Sequence, residues 1–253
     1  MNGSFHGRSL ACMAASGKAD WPLFPPHMPG FRRVPPHDLP ALQAATDQDT
    51  VAVMLEPIQG EAGVQPMDPD WLTALQAHCR AMGLLLICDE IQTGCGRCGE
   101  LFLSRSLGLQ PDILTLGKGL GAGMPVAALL TRPELDCFAP GEHGGTFAGN
   151  ALAMAAVRAV LQRLTAPGFL DGVRQRGVHL RSRLRRFGSV RGAGLLLALE
   201  RPQGDGPAVV ARAAERRLLL NSPRPDCIRF MPTLTITTAE INRCCDLLEE
   251  ILS

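Results

Sequence analysis

The sequence predicts an α/β fold: a mostly parallel sheet flanked by helices, plus a small C-terminal α+β domain. Three observations carry this. Apolar runs of four or five residues alternate with helical stretches, the pattern of strands buried on both faces by crossover helices. The chain has 253 residues, 46% of them hydrophobic and 19% charged, enough for a sizeable core and too few charges for a disordered chain. The composition also shifts after Thr165-Ala166-Pro167-Gly168, dividing a large domain, 1–165, from a small one, 166–253.

Residues 1–40, rich in Pro and Gly, read as loop. Val51–Leu55 is a buried strand ended by Glu56-Pro57. Asp68 before Pro69 is an N-cap opening a helix to about Met82, which Gly83 stops. Leu84–Cys88, Ile113–Leu116 and Val126–Leu130 are further strands, and Asn150–Leu164 is an Ala-rich helix. Residues 171–186 form a helix with six Arg, read as a charged solvated face. Gly192–Glu200 reads as a strand, Ala208–Arg217 as a helix and Cys227–Met231 as a strand. Thr237 with Glu240 makes a capping box for a last helix.

Composition excludes several functions. The net charge of +1 gives no field for nucleic acid or an anionic membrane, and 4% aromatics with no Tyr leave no base-stacking surface. Apolar runs such as Leu195–Leu199 are too short to span a bilayer. Pro22, Pro25 and Pro26 interrupt the region where a signal peptide needs an apolar run. Nine Cys, an odd number, fit a reducing cytoplasm better than a disulfide framework. Cys95-Gly96-Arg97-Cys98 has no second pair to complete a zinc site and reads as incidental, so no metal is expected.

Two residues carry chemistry. Asp89, followed by Glu90, lies directly after a buried strand, where open parallel sheets meet ligands. Lys118 lies between Gly117 and Gly119, just after another strand. Either alone reads as a loop residue. Together they meet the two demands of pyridoxal 5'-phosphate: an amine for a Schiff base and a carboxylate for the pyridinium nitrogen. Lys118 is then also the general base for the substrate's α-proton.

Five segments then bring a resemblance: Phe5-His6-Gly7-Arg8, Glu56-Pro57-Ile58-Gln59-Gly60-Glu61, Asp89-Glu90-Ile91-Gln92-Thr93-Gly94, Gly117-Lys118-Gly119-Leu120-Gly121 and His143-Gly144-Gly145-Thr146-Phe147-Ala148-Gly149-Asn150. Their order resembles that of class III aminotransferases, pyridoxal-phosphate enzymes of fold type I, through essentially the whole chain. Within the class, the compact C-terminal half, with Leu220-Asn221 and Ile228-Arg229-Phe230-Met231-Pro232, is most similar to the acetylornithine branch. The ornithine, succinylornithine and 4-aminobutyrate branches are close.

The resemblance implies transfer of the amino group of N2-acetylornithine to 2-oxoglutarate, in arginine biosynthesis, by a homodimer with shared sites. It assigns Lys118 to the cofactor aldehyde and Asp89, with Glu90 beside it, to the pyridine nitrogen. Ile91 and Phe5 pack against the ring faces, and Gln92 approaches the ring hydroxyl. Thr146 reaches the phosphate held by the neighbouring subunit. Arg8 and Arg229 bind substrate carboxylates, for which a guanidinium fork is suited, and Glu56 neutralises Arg229 when the other substrate is bound. Gly145 lies close to substrate where Ser is frequent. The resemblance further implies a segment preceding Met1, with a phosphate-cradling loop at a helix N-terminus, that has no counterpart here. Two readings follow: a fragment or a chain completed by a partner that transaminates, and a truncated paralogue that folds without retaining the cofactor.

Overall fold

Helix caps and glycine stops set most of the element boundaries. The computed structural model describes residues 1–17 and 27–253; Pro22, Pro25 and Pro26 lie outside the described residues. The stretch read as loop holds a short helix, α1 (Leu10–Ala15), and the start of a second, α2 (Leu39–Ala45). Ser9 Oγ accepts from Cys12 N (3.3 Å) and Asp38 Oδ1 from Ala41 N (2.9 Å). Each satisfies a backbone donor that the helix itself leaves open.

The strands β1 (Ala52–Leu55), β2 (Ile58–Gln59) and β3 (Gln65–Pro66) precede helix α3 (Pro69–Met82). Asp68 caps α3 through Trp71 N (2.8 Å), and Gly83, at φ +67°, ends it. Strand β4 (Leu85–Asp89), helix α4 (Leu103–Ser106), strand β5 (Ile113–Leu116), a 3₁₀ turn (Lys118–Gly121), strand β6 (Ala128–Thr131) and helix α5 (Ala151–Leu164) follow. The sheet order is β1-β4-β5-β6, with β1, β4 and β5 parallel and β6 antiparallel to β5. Leu55, Leu72, Leu75, Leu86 and Cys88 are buried in its core. The three parallel strands therefore end side by side, followed by Glu56, at Asp89, and just before Lys118.

The C-terminal elements are α6 (Phe169–Leu184), β7 (Val190–Ala193), β8 (Leu196–Glu200), α7 (Gly206–Glu215), β9 (Asn221–Arg224), β10 (Cys227–Phe230) and α8 (Thr238–Leu252). They form an antiparallel sheet in the order β7-β8-β10-β9. The run read as one strand over Gly192–Glu200 is thus a hairpin, because Gly194 turns the chain at φ +52°. Strand β8 is apolar on both faces for a reason. Leu197 and Leu199 enter a core with Val173, Ile228, Ile241 and Leu248, while Leu196 and Ala198 join Ile58, Val64 and Leu103 in another. That second cluster ties the C-terminal sheet to the segment following β1.

Helix α6 crosses the hairpin turn closely. A Cβ on Gly177 would fall 2.4 Å from Gly194 O. Ala ordinarily stabilises a helix interior over Gly by about 1 kcal/mol, but here overpacking against backbone reverses the sign. Gly177→Ala is expected to cost about 1–3 kcal/mol, read as a lower urea midpoint at unchanged m-value. Most guanidiniums of α6 and its C-terminal end are spent on protein acceptors. Arg174 holds Gly99 O, Glu100 and Asp171; Arg176 holds Leu234 O; Arg181 holds Val190 O and Gly192 O; Arg183 pairs with Asp246 and Arg186 with Glu249. No described helix is long and apolar enough to cross a membrane.

Candidate active site

Asp89 ends the middle strand of the parallel set and is 4% exposed. Its Oδ1 accepts from Ile91 N (3.0 Å) and from Thr115 Oγ1 (3.1 Å), the residue beside it in register on β5. Its Oδ2 meets His6 Nδ1 at 2.7 Å. A carboxylate oxygen has two lone-pair positions, so Oδ1 is filled while Oδ2 keeps one for a further donor.

Lys118 follows β5 with φ +44°, the left-handed region that a non-glycine residue occupies at a cost. The residue reaches solvent, yet its ammonium end is crowded by protein. Desolvation lowers its pKa, against the upward pull of Glu61, Glu56 and Asp89, with Arg229 pushing it further down. Ile91 lies beneath the neighbouring turn: a Cβ on Gly117 would stand 3.5 Å from Ile91 Cγ2. A cavity of about 420 Å³ opens beside Lys118, with Gln92, Cys95, Leu164, Phe169 and Met231 in its wall.

Phe5 and His6 are brought to this edge from the N-terminal segment. Phe5 N donates to Glu56 Oε1 (2.7 Å) and His6 N to Ser16 Oγ (2.8 Å). The Arg8 guanidinium lies 5.5 Å from the Phe5 ring centroid, within cation–π range. Glu56 is 5% exposed, and burial, opposed by the Phe5 amide and aided by Asp89, pushes its carboxyl up to about 8.

Two sequence assignments change. The carboxylate on Arg229 is Glu61, not Glu56: Arg229 Nη1 meets Glu61 Oε1 at 2.7 Å and Gly60 O at 3.0 Å, and Nε meets Asn221 Oδ1 at 3.0 Å. The reason is electrostatic. Glu56 is buried and holds its proton at neutral pH, whereas Glu61 is more exposed, and burial's upward push on it is outweighed by Arg229, Lys118 and Gln92. Glu90 does not face this site. It is fully buried and accepts from Leu103 N (2.6 Å), Ser104 N (2.8 Å) and Thr93 Oγ1 (3.3 Å), capping α4. Strand alternation sends it to the opposite side from Asp89. Gly145 and Thr146 lie on an exposed segment before α5, and among the described residues no hydrogen bond or ion pair links them to Asp89 or Lys118.

Gln92 is packed against Gly60, where a Cβ would fall 1.6 Å from its Oε1, and it bonds the Glu61 carboxylate. Among the described residues its Oε1 is buried without a partner. Cys95 and Cys98 are buried, their thiols pushed up to about 11 and about 12 chiefly by burial, so neither is a thiolate at neutral pH. His6 and Glu61 are the site residues that the sequence reading did not assign, although both lie inside segments it singled out.

The aminotransferase class-III family model matches residues 1–252. The chain belongs to the class-III aminotransferases. It is 47% identical over 98% of its length to the acetylornithine aminotransferase of Ralstonia nicotianae, and 44% identical over its full length to acetylornithine aminotransferase 2 of Bordetella parapertussis. It spans 65% and 66% of the lengths of these two relatives. Among solved structures, the ornithine aminotransferase of Toxoplasma gondii superposes with a TM-score of 0.92 at 35% identity, over 99% of this chain and 63% of that one. The N-acetylornithine aminotransferase of Stenotrophomonas maltophilia gives 0.81 at 34%, over 89% and 63%.

Class-III aminotransferases use pyridoxal 5'-phosphate, and the described residues fit its ring. Asp89 Oδ2 keeps an acceptor position for a pyridinium N–H, Lys118 supplies an amine, and Gln92 Oε1 lacks a donor. Ile91 supplies an apolar surface between the two strand ends.

Proposed function

We propose that this class-III aminotransferase moves the amino group of N2-acetylornithine to 2-oxoglutarate, giving N-acetylglutamate 5-semialdehyde and glutamate in arginine biosynthesis. The observation that carries the reading is Asp89 and Lys118 at the ends of adjacent parallel strands β4 and β5, with Lys118 held in a left-handed conformation. Acetylornithine as amino donor is supported by relatives of that name at 47% and 44% identity. The basic-residue usage supports the lysine. The chain has 25 Lys and Arg, of which just Lys18 and Lys118 are lysines, and a guanidinium cannot condense with an aldehyde.

When bound, the cofactor supplies an aldehyde that takes up the amine and a protonated ring that withdraws electrons from the neighbouring carbon. Asp89 holds the charge of that ring nitrogen. Lys118 Nζ would take the proton from the carbon bearing the amine and deliver it to the carbon that was the cofactor's aldehyde, and would move a proton the opposite way in the second half-reaction. Arg229 binds a substrate carboxylate when it leaves Glu61, and Glu61 re-pairs with it when the substrate lacks one. Arg8 offers a further guanidinium at the site's mouth. Thr146, exposed with Gly145 on the segment before α5, serves the phosphate of a second copy in a homodimer, in the cytoplasm.

A second reading is a chain that folds but does not retain the cofactor: without a second copy, the exposed Thr146 meets no cofactor phosphate. One experiment separates them. The purified chain is mixed with pyridoxal phosphate, reduced with borohydride and digested. A phosphopyridoxyl mass label on the Lys118 peptide is the expected result. No label, or a label confined to Lys18, overturns the proposal.

A further inference from the structure

Asn221 stands opposite Arg229 because the register of two strands slips. Strand β9 is the edge of the C-terminal sheet and pairs antiparallel with β10. Cys227 lies opposite Arg224; two residues further along β10, Arg229 lies opposite Asn221, three residues back along β9. An unbroken register would bring Ser222 there. The extra residue makes a bulge, a feature that re-aims side chains at sheet edges. Ser222 and Pro223 absorb it: Ser222 Oγ donates to Arg224 O (2.7 Å), and Pro223 brings no N–H for the ladder to satisfy. Residues facing each other across an antiparallel pair share one face. The slip therefore delivers the Asn221 amide to the Arg229 guanidinium, whose Nε donates to Oδ1 at 3.0 Å.

A guanidinium carries its N–H groups in a planar fork, and a carboxylate takes two of them along one of two edges, Nε with Nη2 or Nη1 with Nη2. Arg229 is buried and its donors are divided. Nε–H goes to Asn221, while Nη1 serves Gly60 O (3.0 Å) and Glu61 Oε1 (2.7 Å). Among the described residues Nη2 makes no hydrogen bond or ion pair. Gly60 O is backbone and Asn221 is set by the strand register, so Glu61 is the partner free to leave. Its departure opens the Nη1–Nη2 edge, while the Nε edge stays closed. A carboxylate in place of Asn221 would close the Nε edge too, but it would neutralise the charge on which a substrate carboxylate depends.

We propose that Asn221 is a positioning residue that holds the Nε edge of Arg229 with a neutral acceptor, so that a substrate carboxylate replacing Glu61 forks onto Nη1 and Nη2. This rests on the functional reading above in so far as Arg229 receives that carboxylate. Gly60 O and Glu61 both hold the guanidinium through one nitrogen, Nη1. A single-atom pivot fixes where Nη1 lies but not the plane of the fork. The bond from Nε to Asn221 supplies the second fixed point, and it persists when Glu61 leaves.

The test has two arms. In the first, the cofactor-free protein is labelled with ¹⁵N at arginine, and the Arg229 Nε–H signal is identified as the one missing from Arg229→Lys, or by through-bond correlation in wild type if that variant fails to fold. Its exchange with water is expected to be slow in wild type and in Asn221→Asp, which keeps an acceptor, and at least about fivefold faster in Asn221→Ala. Equal exchange in wild type and Asn221→Ala overturns the proposal. In the second arm, the protein loaded with pyridoxal phosphate is assayed with saturating N2-acetylornithine and varied 2-oxoglutarate. Asn221→Ala is expected to raise KM for 2-oxoglutarate about five- to tenfold while kcat stays within about twofold. A fall in kcat with KM unchanged, or an equal loss in both, overturns positioning, because a merely structural defect does not single out the acid. Asn221→Asp is expected to raise KM as well, through its charge; a KM equal to wild type's overturns the need for a neutral acceptor. A wild type that moves no amino group overturns the functional reading, while the exchange arm still decides whether Asn221 holds Arg229.

Discussion

Replacing Lys118 by Ala is expected to lower the rate of amino transfer by about 10²–10⁴-fold or more, the range over which a positioned proton-transfer group acts, with loss of the covalent step added to it. The fold should survive. Ala122, a few residues on, already sits in the left-handed region at φ +47°, so the turn tolerates alanine in such a conformation. Lys118 Nζ makes no hydrogen bond within the described residues whose loss would unfold the turn. Melting temperature should therefore stay close to wild type while single-turnover amino transfer disappears. Lys118→Arg separates two contributions. It keeps a cation facing Glu56, Glu61 and Asp89, yet a guanidinium neither condenses with an aldehyde nor gives up its proton at neutral pH. If the Arg variant turned over at more than a few per cent of wild type, electrostatics rather than the amine would be the source of rate, and the assignment would fail.

Much of this arrangement was legible before any coordinates. Strand ends were readable because a buried parallel strand is a short apolar run with a polar residue where it leaves the sheet, which places Asp89 and Lys118 at one edge. Helix starts at Asp68 and Thr237 were readable because each cap spends a short polar side chain on an orphan amide. The unreadable parts share a cause, which is that a one-dimensional pattern does not say which face a polar side chain takes. Glu90 differs from Asp89 by one position, and strand alternation sends it to cap α4. Glu56 and Glu61 stand in one short segment, and the intervening turn at Gly60 delivers just the second to Arg229. His6 stood next to a residue expected at the cofactor, but its 83-residue separation from Asp89 is closed by the fold. The hairpin at Gly194 was hidden because β8 faces two cores, which erases the alternation that marks a strand's limits.

The buried Glu56 carboxyl makes stability fall with rising pH. Its folded value is raised to about 8, mainly by desolvation, whereas an unfolded chain releases that proton near the ordinary Glu value of about 4.3. Below about pH 4 both states hold the proton and nothing is lost. Between there and pH 8 the folded state binds one more proton than the unfolded state, so each pH unit removes up to about 1.4 kcal/mol of stability. Above pH 8 both are ionised and the full penalty, on the order of several kcal/mol, is in place. Glu56→Gln keeps an oxygen to accept from Phe5 N and has no charge to bury. Its urea-derived stability is expected to lack this slope between pH 5 and pH 8 and to exceed wild type's above pH 8. Parallel pH profiles for the two proteins would show that Glu56 ionises freely in the folded state. The same proton matters to the site. A neutral Glu56 adds no second negative charge beside Asp89, and ionising it would bury a charge against the segment that carries Phe5 and His6, whose Phe5 N donates to it. Loss of amino transfer above pH 8 should therefore be shallower in Glu56→Gln than in wild type.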